Sequence, residues 1–181
     1  MGGKNPRLFG IKGKTEERSK KIISLIEEGE GHKVEFKSTL RTNLHANQID
    51  KKMEHSVLKT VSAYLNSGGG TLLIGVSDKG EIIGIENDNF PSIDKASLHI
   101  NSLIKDHIGG EFLPFIKSEV VNINGKSVLK IECEKSHKEV FLKNGGEEEF
   151  YVRNGASSVE LFGRSLVDYI QYNFRKNGVG D

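Results

Sequence analysis

Apolar residues recur along the chain at two spacings, and the switches between them mark out helices and strands. Ile22, Leu25 and Ile26 sit at helical spacing behind Thr15, a suitable N-cap, with Glu16 and Glu17 where the helix dipole favours acids. Gly29 and Gly31 end that helix. Val34 and Phe36 then alternate with Lys33, Glu35 and Lys37 in a strand reaching about Ser38. Residues 39–49 are polar without a period and read as a loop. Asp50 caps a long second helix striped by Met53, Val57, Val61, Tyr64 and Leu65, closed by Asn66-Ser67-Gly68-Gly69-Gly70. Residues 71–76 and 82–85, around the turn Asp78-Lys79-Gly80, predict a hairpin with Gly in the left-handed position. Ser92 starts a third helix carrying Leu98, Leu103, Ile104 and Ile108 and ending at Gly109-Gly110. Strands are expected at about 116–123, 127–134, 138–143 and 148–153, with Asn124-Gly125 as a type I′ turn between the first two. A last helix carries Leu166, Val167, Ile170 and Phe174. This order predicts an α+β fold, a mixed and largely antiparallel sheet packed with about four helices.

A length of 181 residues fits one domain, placed at 15–177 behind a flexible basic tail at 1–14. Up to Lys21, Lys4, Arg7, Lys12, Lys14, Arg18, Lys20 and Lys21 outnumber Glu16 and Glu17, as in a solvated tail and helix face or a phosphate-binding arm. The whole chain carries a net charge of only +1, so nucleic-acid binding would have to come from a local patch. A single cysteine, Cys133, excludes an intrachain disulfide, and its place on an apolar strand face predicts a buried, inert thiol. No membrane partner is expected, because no apolar run approaches the roughly 20 residues of a span. The start has neither a signal-peptide core nor a myristoylation signal, which predicts a cytoplasmic protein.

Three stretches carry candidate chemistry. The triple glycine follows a helix and precedes a strand, the reverse of a phosphate-cradling loop, and the chain has no Gly-x-x-x-x-Gly-Lys-Ser/Thr. It reads as a close helix–strand junction, and no ATP is expected. In Phe150-Tyr151-Val152-Arg153, alternation turns Phe150 and Val152 inward and puts Tyr151 and Arg153 on the other face. A coplanar Tyr and Arg there can stack on a base and pair with a phosphate, and Ser157 and Ser158 just beyond can add hydroxyls; a solvent-facing cross-strand pair is the alternative. Glu30, Glu35 and Asp78 are hard oxygen donors for Mg²⁺ or Mn²⁺, provided the turn at Gly31 folds back and Asp78 does more than start a turn.

Together, Glu30-x4-Glu35-Phe36-Lys37, Ala63-x2-Asn66-Ser67-Gly68-Gly69-Gly70-Thr71-Leu72-Leu73-Ile74-Gly75-Val76-Ser77-Asp78-x-Gly80 and Phe150-Tyr151-Val152-Arg153-x-Gly155-Ala156-Ser157-Ser158 resemble the Schlafen-type AlbA-like domain, also known as a divergent AAA family. The resemblance spans about residues 15–175. It implies a single Schlafen-core-like lobe and a metal-dependent endoribonuclease acting on structured RNA such as tRNA, with RNA favoured over DNA. Glu30, Glu35 and Asp78 would then be catalytic and hold Mg²⁺ or Mn²⁺. Lys37 would be a phosphate contact or transition-state stabiliser, Lys33 would join it in binding nucleic acid, and Tyr151 and Arg153 would support the groove. The eukaryotic nucleases fuse two lobes and carry a Cys/His zinc site, which one cysteine cannot build. One lobe implies a homodimer. Members attached to DNA-binding regulators imply the alternative, a non-catalytic DNA- or RNA-binding module.

Overall fold

The computed structural model describes residues 6–175. Its centre is a four-stranded sheet of β1 (Val34–Lys37), β4 (Gly70–Ile74), β6 (Lys126–Cys133) and β5 (Ile116–Ile123), in the order β1-β4-β6-β5. The strand numbers leave room for β2 (Thr42–Asn43) and β3 (Gln48–Ile49), a two-residue ladder inside the segment expected to be a loop. Only β1 and β4 run parallel; the other central pairs are antiparallel, so the sheet is mixed and largely antiparallel as expected.

Helices cover both faces. Ile22 of α1 (Pro6–Glu28) packs on one side with Val34, Phe36, Leu73, Val121 and Val128. On the other side α2 (Lys51–Asn66) and α3 (Ile93–Ile104) bury Val57, Val61, Tyr64, Ile100 and Ile104 against Leu72, Ile74, Leu129 and Ile131. Helix α1 begins at Pro6, so Thr15 is an interior residue and not its cap; residues 1–5 of the expected tail lie outside the described residues. Asp50 caps α2 through Lys52 N and Ser92 caps α3 through Lys95 N, as the sequence predicts. Asn124 and Gly125, with φ of 52° and 85°, make the tight β5–β6 turn.

Three further expectations need correction. Residues 71–76 and 82–85 do not form a hairpin: β1 and β6 take both edges of β4, and the return segment keeps a single bridge, Val76 to Ile82. The strand expected at 148–153 is broken at Phe150 into β8 (Glu147–Glu149), which pairs with β7 (Leu142–Asn144), and β9 (Tyr151–Asn154). Strand β9 turns back into β10 (Ser157–Glu160), which places Ser157 and Ser158 within a hairpin and not in a loop beyond it. Helix α4 (Gly163–Ile170) runs on into a π-helical turn, Gln171–Arg175, and its Tyr169 hydroxyl donates to the Asn66 carbonyl at 2.7 Å.

The triple glycine does what its position after a helix implies. A Cβ on Gly70 would stand 2.2 Å from the Tyr64 ring, and one on Gly69 2.4 Å from the Cys133 carbonyl. With φ of 73° at Gly69, the segment lets α2 stop and β4 start in van der Waals contact. Burial pushes the Cys133 thiol up to about 12, consistent with an inert core residue.

Candidate functional site

Strand β1 sets the site. Val34 and Phe36 belong to the layer under α1, so Lys33, Glu35 and Lys37 face the α2 side, as alternation predicts. Glu35 is nearly buried there, with a side chain 11% exposed. Its Oε1 receives Lys37 Nζ at 2.7 Å, and its Oε2 receives Nη1 of Arg153 at 3.0 Å. The guanidinium, with a fully buried side chain, also donates to the Gly31 carbonyl at 2.7 Å and to Ser158 Oγ at 3.2 Å. It lies 4.9 Å from the Tyr64 ring centroid, and its Nε has no partner. Burial raises the Tyr64 pKa well above its usual range. The ring is therefore a neutral wall for the cation.

Arg153 and Tyr151 thus depart from the expected base-stacking pair. Both are buried, because β9 is sandwiched against α2 and leaves neither face to solvent. Tyr151 donates its hydroxyl to Glu149 Oε2 at 3.0 Å and meets His55 edge-on. Lys33 remains exposed while its Nζ reaches the Gly68 and Gly69 carbonyls at the end of α2, where a cation suits the helix dipole. Ser157 is exposed and Ser158 half-buried beside Arg153.

The Gly31 turn does fold back. Glu30 Oε1 accepts the Phe36 backbone N–H at 2.9 Å, so Glu30 and Glu35 converge on one short segment. Asp78 does not gather with them into a group that could hold a metal ion. It is exposed in the turn after β4, where Gly80 N donates to the Ser77 carbonyl and Gly80 packs on Ile26 of α1, while Glu35 faces α2. Among the described residues, no three His, Cys, Asp or Glu side chains gather so as to hold a metal ion. The three carboxylates therefore do not fit a single ion in this arrangement.

Sequence reading missed the residues that hold the site from behind. Ser67 Oγ accepts the Arg153 backbone N–H at 2.9 Å. The fully buried Asn66 side chain bonds Val140 N, Val140 O and Tyr151 O at 2.8, 2.8 and 3.0 Å. Asp88, also fully buried, accepts the backbone N–H groups of Leu40, Arg41 and Thr42 at 2.7–2.9 Å. All three depend on partners distant in sequence. The only local signal was Asn-Ser ahead of the glycines.

The family model described as Schlafen, AlbA_2 matches residues 30–161, from Glu30 through the end of β10. The chain belongs to the Schlafen AlbA_2 family. Membership suggests a nucleic-acid-binding domain. Helices α1 and α4 lie outside the matched part. An uncharacterized ATP-binding protein of Ureaplasma parvum is 33% identical over 126 residues, covering 64% of this chain and 33% of that protein. Among solved structures, the DIP2311 protein of Corynebacterium diphtheriae aligns with a TM-score of 0.59 at 18% identity, covering 91% of this chain and 29% of the other. The N-terminal domain of a RecG-related protein from Nitrosomonas europaea aligns with a TM-score of 0.50 at 21% identity, covering 79% of this chain and 95% of that domain. This Schlafen AlbA_2 domain thus spans about a third of the Ureaplasma relative, and the two structural likenesses establish its α+β fold. No described helix is long and apolar enough to cross a membrane.

Proposed function

We propose that the domain binds nucleic acid through the phosphate backbone, at the surface where β1, the Gly31 turn and β10 meet. The observation that carries this reading is the fixed pair of lysines on the α2 side of β1. Lys37 is held by Glu35 with its side chain still 27% exposed, and exposed Lys33 is anchored on the Gly68 and Gly69 carbonyls. Cations whose side chains are already ordered lose less entropy on meeting a phosphate. Ser158, bonded to Arg153, brings the start of β10, with its exposed Ser157, beside this cluster. Buried Arg153 acts as the counter-charge that lets Glu35 hold Lys37 without a net negative site. Such binding weakens steeply with salt, because each neutralised phosphate releases counterions. Fluorescence anisotropy with tRNA and with duplex DNA of similar length, across a salt series, tests it. Lys33→Ala with Lys37→Ala should reduce the salt slope by roughly 1–2. An unchanged slope and affinity would overturn the reading.

Cleavage of structured RNA such as tRNA, with RNA preferred over DNA, is the second reading. It is favoured by the convergence of Glu30 and Glu35 beside an ammonium group. A Mg²⁺ or Mn²⁺ requirement is part of that reading, although among the described residues the three carboxylates do not gather to hold one ion. Incubating the protein with tRNA and Mn²⁺, beside EDTA and Glu35→Gln controls, separates the two. Cleavage lost in both controls supports the enzyme; intact RNA that is still bound supports the binding module.

A further inference from the structure

Apart from the lysine surface, a cavity lies around the first turns of α2. It is about 260 Å³, floored by Leu58 and Leu103 and walled by Lys51, Glu54, His55, His107 and Asn144. His55 is twelve residues before Ser67 on α2, which at 1.5 Å per residue puts the cavity roughly 18 Å from the Arg153 cluster.

The hydrogen bonds that build the walls decide what remains available. His107 Nδ1 meets the Lys143 carbonyl at 2.9 Å; a carbonyl only accepts, so Nδ1 is the donor. His55 Nε2 lies 3.1 Å from Glu149 Oε2, so that carboxylate holds the ring against the wall. Glu54 engages His99 through Oε1 at 2.6 Å, and Asn144 donates Nδ2 to Glu149 Oε1 at 2.7 Å. Glu54 Oε2 and Asn144 Oδ1 are therefore left as acceptors. The cavity offers an apolar floor and an acceptor-rich wall, with the Lys51 and Lys52 ammonium groups exposed at the start of the helix.

We infer that this cavity is a pocket for one nucleobase bearing amino or imino donors, with guanine preferred. The inference rests on the nucleic-acid reading and gives it a base-capturing site. The volume falls just under the roughly 300–1,000 Å³ of drug-sized sites, which suits a single ring system. A flat heterocycle lays its faces on leucines, and its edge satisfies the acceptors; guanine presents both N1–H and N2–H₂, whereas uracil presents one N–H. A carboxylate also reads the cytosine amino group. A guanidinium or ammonium ligand would meet the acceptors as well, but the lysines at the rim repel it and attract a phosphate. The same base can arrive as a free nucleotide or unstacked from a strand.

Calorimetric titration of the full chain with GMP, CMP, AMP and UMP, and anisotropy with an RNA hairpin carrying a single bulged G or a single bulged U, test this. GMP should bind about tenfold or more tightly than UMP. Leu103→Phe, which fills the cavity, and Asn144→Ala should each weaken GMP at least about fivefold. Asn144→Ala is an exposed, small change that keeps the test usable if Leu103→Phe does not fold, as judged by circular dichroism. If the same variants weaken the bulged-G hairpin and not the bulged-U one, the base comes from a strand. If GMP binds and neither hairpin does, the pocket stands for free nucleotides and the nucleic-acid reading falls. Absence of any nucleotide binding, or binding indifferent to both pocket variants, overturns the pocket. Hairpin binding that survives such a result leaves the nucleic-acid reading standing without it.

Discussion

Replacing Glu35 by Ala removes the acceptor that Arg153 and Lys37 share. Lys37 can turn to water, but Arg153 cannot, since its side chain is fully buried and its Nε already lacks a partner. The guanidinium keeps the Gly31 carbonyl and Ser158 hydroxyl and loses its carboxylate. Breaking a buried ion pair from one side costs about 3–5 kcal/mol. For a chain of this length each kcal/mol lowers Tm by about 2–4 °C, so the expected fall is roughly 6–20 °C. Thermal and urea unfolding of Glu35→Ala, Arg153→Met and the double variant measure it. Removing the cation as well relieves the orphaned charge, so the double variant should be more stable than the two single losses predict, by about 1–3 kcal/mol. A Glu35→Ala protein within about 1 kcal/mol of wild type, or strictly additive losses, would refute this account. The outcome also bears on cleavage assays: lost activity in Glu35→Ala would report unfolding as much as chemistry. Glu35→Gln, which keeps an acceptor for Arg153, is the sounder control.

Asp88→Ala strands three buried backbone N–H groups and should cost about 3 kcal/mol or more in urea unfolding, with Asp88→Asn in between; a loss under about 1 kcal/mol would contradict the role assigned to it. Gly70→Ala forces a methyl into the Tyr64 ring and should lower stability by about 1–3 kcal/mol, so an unchanged melting curve would disprove the close junction. Burial opposes the charged form of Glu132, yet Lys130 and Lys21 outweigh it and hold its carboxyl below the usual range; Lys130 is held above its own by Glu119 and Glu132 despite burial. Glu132 therefore adds stability above its unfolded value near 4.3, lost as pH falls through the lower folded value, and Lys130 adds stability below about 10.4, lost as pH rises through its raised value. The melting difference between wild type and Glu132→Gln should be constant near pH 7 and close below about pH 4; a difference that persists at pH 3 counts against it. A homodimer, the arrangement implied by the resemblance to two-lobed nucleases, should appear in sedimentation with or without RNA, and a monomer under both conditions would exclude it.

What the chain reveals in advance is what neighbouring residues decide. Alternation fixed the faces of β1, since side chains two apart must share a side. Asp50 and Ser92 marked helix starts because their oxygens cap N–H groups two or three residues on. The glycine order excluded a phosphate loop and announced a tight junction. Partners across the fold stayed hidden. Arg153 and Glu35 are 118 residues apart, and alternation could assign Arg153 a face but not say that α2 would cover it. The hairpin expected after Gly70 failed for the same reason, because nothing local shows that β1 and β6 will occupy both sides of β4. Asp88, in a short 3₁₀ turn, carries no pattern that points to the backbone of residues 40–42. Whether Asp78 completes a metal-holding group with Glu30 and Glu35 also belongs to this class, as it depends on how the turn after β4 packs.

Strand β1 ends the sheet, and an exposed sheet end is a template on which another chain can add a strand. Here that end is closed from within. Gly31 N–H takes the outward Val34 carbonyl at 2.9 Å, and Glu30 takes the outward Phe36 N–H at the same distance. A partner's backbone therefore finds these two groups already satisfied. Glu30, singled out for chemistry, is thus also a guard against sheet extension. Glu30→Ala would open Phe36 N–H to the outside, so the variant should show concentration-dependent association that wild type lacks on this side. Any pairing of two lobes must then use another surface, such as the helical layers or the free side of β5.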